Sequence, residues 1–325
     1  MRTTVRSLIL SVAMSMTLLQ MPAEADQPPA IPRIGVLVRP FANAPYETGL
    51  RDGLRELGYI EGKSIAIEWR RSAGGDEDRT LATELVRSKP DVVVVFSTIA
   101  ARAASEADKT VPIVFLSGDP VASGLAASLA HPGGNATGVG GVLTELTAKR
   151  LELFHQLAPR ARRIACLINP SNPSGVQQFE AAQRAAPILG VRLVKLEVRD
   201  AAELDTALRA LPRGEGSGVF VTADGLFLVN KAKIARAVRS AKLPATFPYR
   251  DYHDDGVLMS YGLNTVDVAR KMATYVDKIL KGAKPSDLPI EQVSKYELII
   301  NLRVARELGL KVPQELLLRA DEVIR

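Results

Sequence analysis

A single cysteine, Cys166, stands in a chain of 325 residues, so no intramolecular disulfide can form and cysteine usage does not name a redox compartment. Long apolar runs are missing beyond the first twenty positions, and nothing later approaches the roughly 17 to 25 residues needed to span a bilayer. Runs of five or more Lys/Arg are missing too. The excess of base over acid, 42 against 36 for a net charge of +6, is scattered along the chain and argues for a solvated basic surface without nucleic-acid binding. Enzyme signatures are equally scarce. There is no P-loop, G-x-S-x-G or H-E-x-x-H, and in Gly138-Val139-Gly140-Gly141 the third glycine of a dinucleotide fingerprint is replaced by Leu143. His131, His155 and His253 are far apart in sequence, which disfavours a zinc site. Cys166 lies inside an apolar strand pattern, as an inert packed thiol does.

What is present is globular. Apolar residues make up 46% and charged residues 24%, enough for a sizeable core, and the length suits about two domains. At the N-terminus Arg2 and Arg6 precede an apolar run from Leu8 to Leu19, and Ala23-Glu24-Ala25 follows before Asp26. Residues 1–25 are therefore expected to be a cleaved secretory signal peptide and the protein to be periplasmic; the run is short for a membrane anchor, and no cysteine near the cleavage point supports a lipoprotein.

Strand and helix patterns then alternate. Ile34-Gly35-Val36-Leu37-Val38 is a buried strand, and Tyr46, Leu50, Leu54 and Leu57 form a helix stopped by Gly58. Asp91 to Phe96 is the strongest strand of the chain, with β-branched residues that suit a helix poorly. From Thr144 the pattern restarts with a helix through Leu157 and a strand Ile164 to Ile168, so the two halves share one order of elements. The alternation predicts an α/β fold of two similar, doubly wound parallel-sheet lobes. The glycine-rich segment 131–141 is the expected crossing between them.

In parallel α/β sheets ligands bind beyond the carboxyl ends of the strands, where loops and helix N-termini converge. Those positions hold Arg39 and Phe41, Ser97 and Thr98, Ser117 and Asp119, Asn169 and Asn172, Asp224, and Tyr249. Hydroxyls, amides and a few carboxylates suit a small polar ligand gripped from both lobes. Each position has a plainer alternative. Ser97 sits where a helix cap is wanted, Asp119-Pro120, Asn169-Pro170 and Asn172-Pro173 form turns readily, Asp224-Gly225 is a turn dipeptide, Arg39 could be solvated, and Phe41 could be core.

The stretches Gly53-Leu54-Arg55-Glu56-Leu57-Gly58-Tyr59, Gly118-Asp119-Pro120-Val121, His131-Pro132-Gly133-Gly134-Asn135, Lys149-Arg150-Leu151-Glu152-Leu153 and Leu258-Met259-Ser260-Tyr261-Gly262, with 273–285 and Arg319-Ala320-Asp321, resemble the ABC-transporter substrate-binding proteins related to the tryptophan and tyrosine binders. The likeness runs in family order over nearly the whole mature chain. It implies type I periplasmic binding protein architecture with a three-crossing hinge, an N-terminal lobe of 32–141 plus 262–290 and a C-terminal lobe of 142–261 plus 291–325. It also implies a small-molecule ligand in the cleft, an amino acid or related organic acid, with no catalysis and no cofactor or metal. The implied partner is an inner-membrane ABC permease, with the binding protein itself a monomer. In amino-acid binders of this family such loops hold the α-carboxylate and ammonium, and carried onto this chain they fall at Ser97-Thr98, Asp119, Asn169 and Asp224. The segments around Arg39-Pro40-Phe41 and Phe247 to Arg250 leave the ligand's side chain open. Two rival expectations are an exported α/β enzyme using the same cleft, which lacks a recognisable nucleophile and base, and a sugar-repressor-like regulator, which would need a helix-turn-helix where the signal peptide stands.

Overall fold

Short β-branched runs build the first sheet. A computed structural model describes residues 31–38, 45–72, 76–140, 143–293 and 295–325; the expected signal peptide and the loop carrying Arg39 and Phe41 lie outside the described residues. Strands β1 (Arg33–Val38), β2 (Ala66–Arg71), β3 (Val92–Val95), β4 (Ile113–Ser117) and β5 (Ala136–Gly140) are all parallel and lie in the order β2-β1-β3-β4-β5. The four valines of β3 are buried because helices cover both faces of the sheet. The intervening helices are α1 (Pro45–Glu56), α2 (Asp76–Arg87) and α3 (Thr98–Ala107).

The second sheet holds β6 (Arg163–Ile168), β7 (Arg192–Glu197), β8 (Ser217–Val221), β9 (Ala245–Phe247), β10 (Met259–Leu263), β11 (Tyr296–Asn301) and β12 (Glu322–Ile324), ordered β12-β11-β10-β9-β8-β6-β7. Its helices are α4 (Leu143–Leu157), α5 (Pro173–Ala185), α6 (Ala201–Arg209), α7 (Gly225–Val229) and α8 (Lys231–Ser240). After β10 the chain returns to the first sheet as α9 (Thr265–Leu280), then comes back as β11 and ends with α10 (Leu302–Glu307), α11 (Gln314–Arg319) and β12. Among the described residues no helix is long and apolar enough to cross a membrane.

Two expectations need correction. The second sheet is mixed, because β11 runs antiparallel to β10; a strand entered by a hinge crossing is not bound by the handedness of a strand–helix–strand crossover. The glycine-rich 131–141 segment is not wholly a crossing either, since Ala136–Gly140 is the buried strand β5. Its Gly138 is needed for close approach: a Cβ there would lie 2.1 Å from the Phe115 carbonyl oxygen, so glycine marks tight strand packing here and not a turn.

Helix α9 is the seam that ties the returning chain to the first sheet. It packs on α1 at Gly49 and Gly53, where added Cβ atoms would come within 2.2 Å of the Val266 carbonyl oxygen and 2.8 Å of that of Arg270. The segment behind it is pinned along β5. Gly140 N donates to Glu291 O at 3.0 Å, Glu291 N to Gly138 O at 3.1 Å, and Thr137 Oγ1 to Leu288 O at 2.7 Å. The chain passes between the sheets three times: between β5 and α4, between β10 and α9, and between Glu291 and β11.

Candidate functional site

The carboxyl ends of both sheets face one cleft with about 730 Å³ of non-protein space, its open mouth included. From the first sheet come Ser97 and Thr98 after β3 and Ser117 at the end of β4; from the second come Asn172, Asp224 and Tyr249. These six of the expected residues are brought together. Arg39 and Phe41 lie outside the described residues. Asp119 and Asn169 do not line the cleft and serve their own turns: Asp119 Oδ1 accepts from Ala122 N at 2.9 Å, and Asn169 Oδ1 from Ser171 N at 3.0 Å.

The first wall is hydroxylic. Thr98 Oγ1 and Ser117 Oγ are 3.0 Å apart and both residues are buried. Ser97 Oγ caps α3 by accepting from Ala100 N at 3.3 Å, and donates to Asp78 Oδ2 at 2.9 Å. Its capping role is therefore real, and it coexists with a place on the cleft wall. The opposite wall carries the charge. Asp224 caps α7 through Leu226 N at 2.8 Å and accepts from Asn172 Nδ2 at 2.7 Å, while Asn172 Oδ1 caps α5 through Ser174 N at 3.1 Å. Asp224 is the one charged side chain among the described lining residues.

Gln178, Phe96 and Tyr296 escaped the sequence reading as site residues. Gln178 on α5 locks the loop before Asp224 from behind, with Oε1 accepting from Ala223 N at 2.8 Å and Nε2 donating to Ala223 O at 3.2 Å. A polar residue one turn after Ser174, on the inward face of an amphipathic helix, was the available signal. Thr222 adds a bond from Oγ1 to Leu167 O at 2.9 Å. Such bracing holds recognition groups in place before a ligand arrives. Aromatic lining comes from Phe96, whose ring stacks on Tyr46 at 4.5 Å between centroids, and from Tyr296 at the start of β11.

A two-lobed α/β protein with its polar pocket at the meeting of two sheets, reached by a three-stranded connection, is a binding protein of the type I periplasmic class in fold. Residues 34–324 match the model of the ABC transporter substrate binding protein family, and the chain belongs to that family. A tyrosine-binding protein of Clostridioides difficile is 26% identical over 255 residues, covering 78% of this chain and 73% of that protein. An ABC domain from Streptococcus pneumonia in complex with L-Trp superposes with a TM-score of 0.82 at 25% identity, covering 91% of this chain and 100% of the other. A ligand-free, open substrate binding protein with adhesive properties from Clostridium difficile gives 0.62 at 24% identity, covering 91% and 99%.

Proposed function

We propose that this chain is the periplasmic solute-binding component of an ABC importer, capturing an amino acid or closely related small organic acid between its lobes. The observation that carries the reading is the placement of Thr98 and Ser117 from one sheet and Asn172 and Asp224 from the other around one cleft. The backbone N–H groups at the start of α3, beside Ser97 and Thr98, and the Thr98–Ser117 hydroxyl pair suit a carboxylate, while the Ser97 hydroxyl is committed to Asp78. Asp224 suits an ammonium. A ligand touching both walls favours the closed arrangement over the open one, and moving that equilibrium from 1:99 to 99:1 takes about 5.5 kcal/mol of differential binding. The names of the tyrosine-binding relative and of the L-Trp complex support an amino-acid ligand.

Export by removal of residues 1–25, a monomeric state, and delivery of the closed form to a membrane permease complete the reading. We place the lobe boundaries near those expected from the sequence, with the change at 262 moved to follow Leu263, where β10 ends. The ligand is bound and released without chemical change. Calorimetric titration of the purified mature chain with L-tryptophan, L-tyrosine and a panel of amino and organic acids tests the assignment, with the ligand recovered afterwards and analysed for turnover. Saturable binding with intact ligand is the expected result. Absence of heat and of any thermal shift across the panel defeats the reading, and turnover of the bound solute would favour an enzyme in its place.

A further inference from the structure

A second pocket opens at the other end of the second sheet. It lies at the amino ends of β9 and β10, where Leu243 leads towards β9 and Leu258 into β10. It holds about 1080 Å³ of non-protein space, its mouth included, more than the cleft does. The floor is apolar, with Leu243, Val257, Leu258 and Val304 all buried. The rim is basic. Arg236 and Arg239 stand a turn apart on α8 and Lys242 follows just beyond its end, three cations at i, i+3 and i+6. Among the described lining residues Glu307 of α10 is the one acid, and it pairs with Arg239, Nη2 to Oε2 at 3.4 Å. Arg236 and Lys242 have no carboxylate partner among the described residues.

Base near a helix C-terminus complements the dipole, which accounts for Arg239 but not for Lys242. Lys242 closes α8 in left-handed backbone, φ 51°. Its N–H bonds to Arg239 O and that of Leu243 to Val238 O, the cap in which glycine is usual. The other left-handed residue besides glycine among the described residues, Lys89, pairs with Asp108; Lys242 lines a pocket instead. Glycine does stand at position 256 of the same pocket, where an added Cβ would lie 2.9 Å from Arg239 Nη1, so this guanidinium rests against bare backbone.

We propose that this pocket is a second ligand site, separate from the cleft, for a small amphipathic anion: a medium-chain carboxylate whose apolar tail covers the floor and whose head is held by Arg236 and Lys242. Covering the floor removes apolar surface from water, and the carboxylate gains charge-assisted hydrogen bonds, two of them in parallel from the guanidinium. An amine of the same length would meet three cations. A membrane surface is the poorer occupant, because none of the large apolar side chains that stand exposed among the described residues lines this pocket, and a bilayer would receive nothing from it.

Calorimetry on the full mature chain with octanoate, octanol and octylamine tests the site, with L-tryptophan present and absent. Octanoate should bind saturably, about tenfold or more tighter than octanol, with octylamine weaker still. Arg236→Glu combined with Lys242→Glu, both on the exposed rim, should weaken octanoate by about tenfold or more and leave the response to L-tryptophan unchanged. Arg236→Lys with Lys242→Arg, which keeps the charge, should retain octanoate binding. Equal affinity for octanoate and octanol reduces the pocket to apolar adsorption and overturns the proposal. Octanoate that is displaced by L-tryptophan, or that is indifferent to the charge reversal, sits elsewhere and overturns it as well. So does absence of octanoate binding, including the case in which the chain sediments with anionic phosphatidylglycerol vesicles instead. The site does not depend on the reading of the cleft: binding of octanoate without binding of any amino or organic acid that L-tryptophan represents would defeat that reading and leave this one standing.

Discussion

Asn172 donates its side-chain amide N–H to Asp224 Oδ2 at 2.7 Å, and each residue caps a different helix through its Oδ1. One pair thus fixes the starts of α5 and α7 on the same wall of the cleft. The carboxylate is held in one orientation by bonds that leave the rotamer little choice, which lowers the ordering cost of binding.

Replacing Asp224 with Ala is expected to weaken binding of any amine-bearing ligand by at least about tenfold. It also removes the α7 cap and leaves the Asn172 amide without its acceptor, so stability should fall by about 1–3 kcal/mol. In a double-mutant cycle with Asn172→Ala the losses should be less than additive by about 1 kcal/mol. Calorimetry and urea unfolding measure the two effects separately, and undiminished affinity removes Asp224 from the site.

Gly49 tests the seam between α1 and α9. Helix propensity alone favours alanine over glycine by about 1 kcal/mol, but the new Cβ would meet the Val266 carbonyl oxygen at 2.2 Å, and overpacking of this kind costs about 1–3 kcal/mol. Gly49→Ala should therefore lower the urea midpoint. A rise in stability would show that the helices separate freely.

Acid sensitivity is expected from His253. Burial, aided by the nearby Arg250, lowers its pKa from 6.5 to about 4, and its Nε2 lies 2.9 Å from Ser260 Oγ. Between those two values the unfolded chain binds a proton that the folded one does not, so stability falls as the pH drops through the window, by roughly 3 kcal/mol in all. Urea unfolding at pH 7 and near pH 4 should show this loss, and His253→Gln should flatten it.

The Cys166 thiol is fully buried and its pKa is pushed up to about 12 by burial, opposed by Arg150. No labelling by thiol reagents is expected in the native protein near pH 8, and one thiol per chain should react in denaturant. Rapid native labelling would contradict the packing of β6.

Much of this arrangement could be read from residue patterns. The four valines of β3 and the amphipathic spacing of α1 announce themselves locally, and the strand-end rule brought six of ten named residues to one cleft. The misses share a cause. Gly138 and Gly140 look like a loop until β4 is placed against them, Tyr296 enters the cleft only because β11 returns from the other sheet, and Gln178 acts on a loop far along the chain. Asp119 and Asn169 were selected by the same strand-end rule, yet their side chains are spent on the turns beside them. Local pattern identifies elements; side-chain destinations depend on partners distant in sequence.

The bonds that pin Glu291 along β5 have a further consequence. β5 is the outermost strand of its sheet, and an unpaired rim of backbone donors and acceptors is a template for joining another chain. Because Gly138 and Gly140 give their outward groups to Glu291, the connecting segment also acts as a guard rail, shielding that border from intermolecular strand addition.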